Sequence, residues 1–287
     1  MPVKTQRLPD SFKQTLVRTP QRDAVERALR GMRLFTVCEE ARCPNRNGCY
    51  AQGTATFLVM GPHCSRGCAF CAVSHHAPTA LDPDEPRRVA DAVAQLGLAY
   101  AVITSVTRDD LPDGGAGHFV ALIAAIRKQS SGTLIEVLTP DFNGNSEAVD
   151  AVIAAKPDVF NHNLETIARL YPRVRPQADY RRSLDLIARV KAAGLTAKSG
   201  IMVGLGESLD EVKELLRDLA EAGCQLVTIG QYLAPSPRHI PVARYWTERE
   251  FAEATRYGEA LPGIRMVLAG PLVRSSYHAR QVFAGTP

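Results

Sequence analysis

Residues 56–71 read TFLVMGPHCSRGCAFC. An apolar run at 56–60 gives way within a few residues to three thiols, Cys64, Cys68 and Cys71, spaced C-x3-C-x2-C. A short run of this kind reads as a buried strand, and the loop after it carries three soft ligands. Working outward, the same texture recurs at 101–106, 133–138, 158–161, 197–203, 226–230 and 264–268. Helical patterns lie between these runs, at 85–96, 117–128, 146–155, 180–193, 209–222 and 248–260. Strands alternating with helices of this length argue for βαβ units and a parallel sheet. Gly97, Gly194 and Gly223 stand just past helical segments, where a left-handed residue ends a helix. The strand runs stay alike from first to last, which favours a barrel over a doubly wound sheet. The predicted fold is therefore α/β, a partial (β/α)6-type TIM barrel with N-terminal and C-terminal extensions. The expected division is an N-terminal extension over 1–55, the barrel over 56–262 and a C-terminal extension over 263–287. No strand pattern is evident in 1–55, which carries an amphipathic helix at 21–33.

Polar, Gly-rich segments fall where strands end: SVTRDDLPDGG, PDFNGN, HNLE and GLGES. In α/β barrels the catalytic groups come from the C-terminal ends of strands. The C-x3-C-x2-C loop shares that face.

A second trio, Cys38, Cys43 and Cys49, is spaced C-x4-C-x5-C. A closed structural metal site takes four protein ligands, and iron–sulfur clusters are usually held by four cysteines. Each trio is one ligand short, which points to clusters with one iron left for something else. The competing reading of the later trio is a zinc site completed by His63 or His75, although zinc favours paired C-x2–4-C spacing. Cys224, in EAGCQLVTIG, is far from both trios in sequence and reads as a small buried hydrophobe.

The bulk properties set bounds. The chain has 287 residues, 45% of them hydrophobic and 22% charged, with a net charge of +4. This is ordinary for a globular protein and too weakly basic to argue for nucleic acid. The start, MPVKTQRLPDSFKQ, shows no apolar leader core. The longest apolar stretches, 98–103 and 56–60, fall far short of a membrane span. A cytoplasmic protein without a nucleic-acid or membrane partner is expected, and in a reducing compartment clustered thiols read as metal ligands. The arginines at 173, 175, 181 and 182 read as a solvated face.

At the later trio the pattern becomes specific. C-x3-C-x2-C after the first barrel strand, with Phe70 before the last cysteine, resembles the radical S-adenosylmethionine superfamily. The segment GIMVGLGE at 200–207 resembles the strand-and-glycine segment that packs near adenine in these enzymes. The first trio narrows the resemblance to the lipoyl synthase family. So do GTATF (53–57), TSVTRDDLPDGG (104–115), FNHNLET (160–166), KSG (198–200), TIGQYL (228–233) and VRSSYHA (273–279). The resemblance runs from about residue 35 to 279. It departs at Gly48 and Tyr50, which flank the third cysteine where the family leads one to expect an acidic residue and Trp.

The resemblance implies two 4Fe-4S clusters and S-adenosyl-L-methionine. One cluster, on Cys64, Cys68 and Cys71, binds the cofactor and cleaves it reductively to a 5′-deoxyadenosyl radical. The auxiliary cluster, on Cys38, Cys43 and Cys49 with Ser276 as fourth ligand (Ser275 the alternative), donates sulfur. The implied reaction inserts two sulfurs, at C6 and C8 of an octanoyl chain amide-linked to a carrier lysine. Phe70, Asp113, Gly114, Asn161, Asn163, Glu165, Arg182, Gly204 and Glu207 are the expected cofactor contacts. The implied partners are octanoylated lipoyl-carrier proteins: the 2-oxoacid dehydrogenase acyltransferase subunit and the glycine-cleavage carrier protein. A reducing partner such as ferredoxin or flavodoxin and cluster-assembly proteins complete the set. Other radical sulfur inserters, biotin-synthase-like enzymes or methylthiotransferases, differ in lacking the first trio together with RSSYHA.

Overall fold

In a computed structural model the chain is described over residues 19–51 and 54–285. The start of the chain, 1–18, and Gly53 of the GTATF run lie outside the described residues. The N-terminal part comprises α1 (Pro20–Gly31), β1 (Phe35–Thr36), α2 (Val37–Glu40) and α3 (Arg46–Ala51). The barrel then alternates β2 (Thr56–Val59), α4 (Glu85–Gln95), β3 (Tyr100–Ser105), α5 (Ala116–Gln129), β4 (Leu134–Leu138), α6 (Ser146–Ala154) and β5 (Val159–Asn161). It continues with α7 (Tyr171–Val174), α8 (Tyr180–Ala192), β6 (Thr196–Val203), α9 (Leu209–Glu221), β7 (Leu226–Gln231), α10 (Glu248–Glu259), β8 (Met266–Gly270) and α11 (Ala279–Ala284).

The strands form one open sheet in chain order. Every strand from β3 to β8 pairs in parallel with its predecessor, giving the partial barrel that the alternation predicts. One expected strand falls across the expected division, and one strand is unexpected. β8 lies in the 263–287 segment yet continues the parallel sheet through Leu226↔Met266. β1 pairs antiparallel with β2 through Phe35↔Leu58 and Thr36↔Phe57. Two residues are too few to show period-2 alternation, which is why the 1–55 region reads as strandless.

The parallel strands are nearly continuous runs of buried residues, as expected where helices and interior cover both faces of a sheet. Several helices start where a side chain can accept a free N–H group. Ser208 and Thr247 each form a reciprocal capping box, with Glu211 and Glu250, and a cap of this kind stabilises by about 1 kcal/mol. Among the described residues no helix is long and apolar enough to cross a membrane.

The floor of the barrel is polar. Lys198 Nζ (β6) lies 2.8 and 2.9 Å from the Glu136 carboxylate oxygens (β4). Tyr100 Oη (β3) donates to the same carboxylate at 2.7 Å, and Asn161 Nδ2 (β5) at 3.0 Å. Both members of the ion pair are fully buried. A buried pair without its further hydrogen bonds is costly; here the carboxylate takes four donor contacts and ties four strands together.

Candidate active site

The loop after β2 is fastened at nearly every residue. Cys64 N donates to Ser74 O at 2.8 Å, and Ser65 N and Oγ both donate to Thr107 O at 3.0 Å. Ala69 N donates to Val174 O at 2.9 Å, Gly67 N to Gln177 Oε1 at 2.8 Å, and Ile240 N to Ala69 O at 3.1 Å. His239 Nε2 lies 3.0 Å from Cys71 O. A carbonyl only accepts, so this nitrogen carries the proton and Nδ1 accepts from Ser236 Oγ at 2.9 Å. The Cys64 sulfur accepts from Thr107 N at 3.3 Å.

Arg66, between the first two cysteines, is buried. It grips Asp109 at 2.6 and 2.9 Å and Asp141 at 2.7 Å. Burial works against its charge, but the bonds to Asp109 and Asp141 outweigh it and hold the guanidinium protonated. They also hold Asp141 below the usual carboxylate range despite its burial. The other Asp141 oxygen takes Arg182 at 3.2 Å.

The earlier trio sits among short helices. Thr36 Oγ accepts from Glu39 N at 3.3 Å, capping α2, and shares a 2.8 Å bond with Tyr50 Oη. Arg42, at φ 51, turns the chain so that Cys43 N reaches Cys38 O at 3.2 Å. Asn45 Nδ2 then crosses the molecule to Leu272 O at 2.6 Å.

From Leu272 the chain runs over the ends of β6 and β7, and two glycines make room for it. A Cβ on Gly230 would stand 2.0 Å from Val273 O; one on Gly200 would stand 2.8 Å from Ser275 Oγ, Asn163 Oδ1 and Thr228 Oγ1 alike. A side chain at Gly230 would force the backbone to move, and one at Gly200 would displace three side-chain oxygens. Ser275 Oγ accepts from Asn163 Nδ2 at 2.7 Å, and Ser276 faces the cavity beside it.

That cavity has a volume of about 520 Å³. Its wall carries Cys38, Cys43, Cys64, Cys68 and Cys71 together with Ser275 and Ser276. Cys49 is behind it, close enough to Cys43 and Tyr277 to act on their charges. What the cysteines share is a wall and not a point: among the described residues, no group of three His, Cys, Asp or Glu side chains is placed to hold a single metal ion. Burial pushes the thiols up, to about 12 for Cys38 and Cys71 and about 11 for Cys49 and Cys68. Arg175 pulls against burial at Cys68, and Arg274 does the same at Cys43. These are dry, soft donors in two sets of three, and the deprotonation that metal binding requires is what such burial resists in the free thiol. The donor sets fit two sulfur-ligated clusters, and the buried Asn163 Oδ1, which makes no hydrogen bond, fits a bound cofactor that brings a donor.

The expected cofactor contacts divide. Phe70, Asn163 and Glu165 line the cavity. Burial raises the Glu165 carboxyl against the pull of Arg175 and the Asn163 bond. Asn161 is instead in the barrel floor, on Glu136. Arg182 pairs with Asp141 and Asn143, a layer behind Arg66. Asp113 accepts from Gly115 N and Gly117 N and so starts α5, with Gly114 packed on Phe142. Gly204 and Glu207 close on each other: Glu207 accepts from Gly204 N, Leu205 N and Trp246 Nε1 at 2.6, 2.9 and 2.9 Å.

Sequence reasoning missed two arginines of the cavity wall. Arg175 is not part of a solvated face. It is buried and donates to Asn163 O at 2.7 Å and Leu164 O at 3.1 Å. Arg274 is half-buried, and desolvation lowers its pKa against the pull of Cys43 and Glu165. Nothing in YPRVRPQ distinguishes the buried arginine from its neighbours; Arg274 was legible only as part of RSSYHA.

Comparison with known proteins meets this geometry. The family model described as the Radical SAM superfamily matches residues 58–219. A protein of Methylococcus capsulatus named lipoyl synthase is 55% identical over 260 residues, covering 90% of this chain and 80% of its own. The protein of that name from Rubrobacter xylanophilus is 54% identical over 259 residues, with the same coverage. The one from Caldanaerobacter subterraneus is 54% identical over 257 residues, covering 89% of this chain and 90% of its own. Solved structures share the fold at low identity. HydG, a maturase of the FeFe-hydrogenase, superposes with a TM-score of 0.59 at 15% identity over 94% of this chain and 61% of its own. Streptococcus suis SuiB bound to S-adenosylmethionine does so with 0.57 at 12% identity, over 79% of this chain and 54% of its own, so this chain spans about half of SuiB. With the cysteine loop in place after β2 and identity above half along most of its length, the chain belongs to the radical SAM superfamily and, within it, to the lipoyl synthase family.

Proposed function

We propose that this enzyme inserts two sulfur atoms, at C6 and C8, into an octanoyl chain carried on the lysine of a lipoyl-carrier protein, giving lipoyl-lysine. The observation that carries this reading is that the whole later trio, Cys38 and Cys43 of the earlier one, and the RSSY serines open onto one cavity. Neither carbon has an acidic hydrogen, so acid–base chemistry has no purchase on them. When bound, a reduced cluster with S-adenosylmethionine supplies a hydrogen-abstracting radical, and a second cluster supplies sulfur.

The chain's own residues bind, orient and keep the site dry. Cys64, Cys68 and Cys71 hold the first cluster, with Arg66 and its two carboxylates fixing the loop. Phe70, Asn163 and Glu165 receive the cofactor; Asn163 Oδ1 accepts from it, and Arg175 offers a buried positive charge beside them. Cys38, Cys43 and Cys49 hold the auxiliary cluster, with Ser276 as fourth ligand, because Ser275 is already engaged by Asn163. A serine oxygen is a harder donor than thiolate and a poorer match for an iron–sulfur cluster, so Ser276 would be the weakest of the four protein contacts. Apolar wall residues such as Leu58, Val106 and Met202 exclude water where the chain must lie.

The carrier is the 2-oxoacid dehydrogenase acyltransferase subunit or the glycine-cleavage carrier. Ferredoxin or flavodoxin supplies electrons, and cluster-assembly proteins rebuild the auxiliary site in the cytoplasm. The test is incubation of the reconstituted protein with an octanoyl-lysyl peptide, S-adenosylmethionine and reductant, followed by mass spectrometry. Gain of two sulfurs is expected. No gain with both clusters intact overturns the reading.

A further inference from the structure

One nitrogen of Asn163 serves two acceptors from distant parts of the chain. Nδ2 donates to Glu165 Oε1 at 3.0 Å and to Ser275 Oγ at 2.7 Å, across 112 positions. The two acceptors fix which way the amide faces, because the reversed amide would set its oxygen against a carboxylate oxygen. Its Oδ1 is thereby left over the bare Cα of Gly200, buried and without a hydrogen bond. Glu165 has no freedom to adjust: its N donates to Gly200 O at 3.0 Å, its O accepts from Met202 N at 2.8 Å, and its φ is 65°. The bare Cα of Gly200 is what lets Asn163, Ser275 and Thr228 meet.

We propose that Ser275 is a positioning residue that couples the two halves of the site. Its hydroxyl holds the Asn163 amide in the orientation that presents Oδ1 and Glu165 to S-adenosylmethionine, while the next residue, Ser276, closes the auxiliary trio. The inference rests on the cofactor and ligand assignments above. Adjacent Cα atoms are 3.8 Å apart, so the segment cannot release Ser276 from the auxiliary group and leave Ser275 undisturbed. A spent auxiliary site therefore weakens cofactor binding. By linkage, bound cofactor strengthens retention of the auxiliary group by the same factor.

The test is the dissociation constant of labelled S-adenosylmethionine, measured by equilibrium dialysis without reductant on reconstituted protein, with iron content and circular dichroism confirming folded, loaded material. Ser275→Ala is expected to weaken binding about ten-fold, the cost of one hydrogen bond whose buried donor is left unpaired. Ser275→Thr, which keeps the hydroxyl, recovers most of it. Cys43→Ala, which lacks the auxiliary group, weakens binding similarly, and the double variant with Ser275→Ala is no worse than either alone. Affinity within two-fold of the unmodified protein in Ser275→Ala, or losses that multiply in the double variant, overturns the coupling. If Ser275→Ala fails to fold, unchanged affinity in Cys43→Ala overturns it on its own. If the unmodified protein binds no S-adenosylmethionine, the cofactor assignment itself fails, a result distinct from either.

Discussion

The 64–71 loop is tied to residues 74, 107, 174, 177, 239 and 240 and, through Arg66, to Asp109 and Asp141. The 38–49 loop is held largely by its own turns, and it reaches the C-terminal segment through Asn45 and Leu272 O. Both loops offer three thiols, so the donors do not distinguish them. Their anchoring does. A group that must return to its starting state after each cycle belongs on the loop that the whole barrel immobilises. A group consumed as reagent belongs where a short segment, held over Gly200 and Gly230, can leave and come back.

The strongest way to break this comparison is to remove one thiol from each loop. Cys68→Ala should reduce S-adenosylmethionine cleavage to background. Cys43→Ala should keep cleavage at saturating cofactor and lose sulfur insertion altogether. Product and 5′-deoxyadenosine analysis checks both, and lipoyl product from Cys43→Ala would sink the division of labour. Next in size is the anchoring of the later loop. Arg66→Ala leaves Asp141 buried with half its charge partners, and breaking a buried pair in this way costs ~3–5 kcal/mol; chemical denaturation should show it, whereas a change within error would mean that the ion pairs are incidental. Gly230→Ala forces the Val273 carbonyl away and should cost about 1–3 kcal/mol. It should also reduce iron content to the single-cluster level, while a variant with full iron would show that the segment is not needed to complete the auxiliary site.

A pH-dependent effect concerns His162, which burial and Arg175 lower to about 4. Unfolded, it binds a proton below about 6.5. The unfolded state therefore holds more protons between these values, and stability falls as pH drops through that window, by up to ~3 kcal/mol. Denaturation at pH 7 and pH 5 should show a steeper loss in the unmodified protein than in His162→Gln. Equal slopes would mean that the ring does not titrate on unfolding.

Much of this was legible in the residues because it is local. Runs at 101–106 and 226–230 became β3 and β7, and C-x3-C-x2-C marked the loop that faces the cavity. The misplacements have a common cause. Asn161, the last residue of a strand by pattern, points to the barrel floor because Glu136 meets it there from another strand. Arg182, expected as a cofactor contact from a helix, pairs instead with Asp141 from the loop after β4. Arg175 looked solvated until the backbone of 163–164 folded over it. Partners supplied by distant segments leave no trace in spacing.

The contact between Asn45 and Leu272 spans 227 positions, while each strand of the sheet pairs with the one made just before it. Chains emerge from the ribosome N-terminus first. The barrel can therefore be assembled strand by strand as it appears, but the three thiols of the earlier trio are synthesised early and receive their covering segment only after β8. Throughout that interval the 38–49 loop is an open, oxidisable surface, and the order of synthesis sets when it is protected.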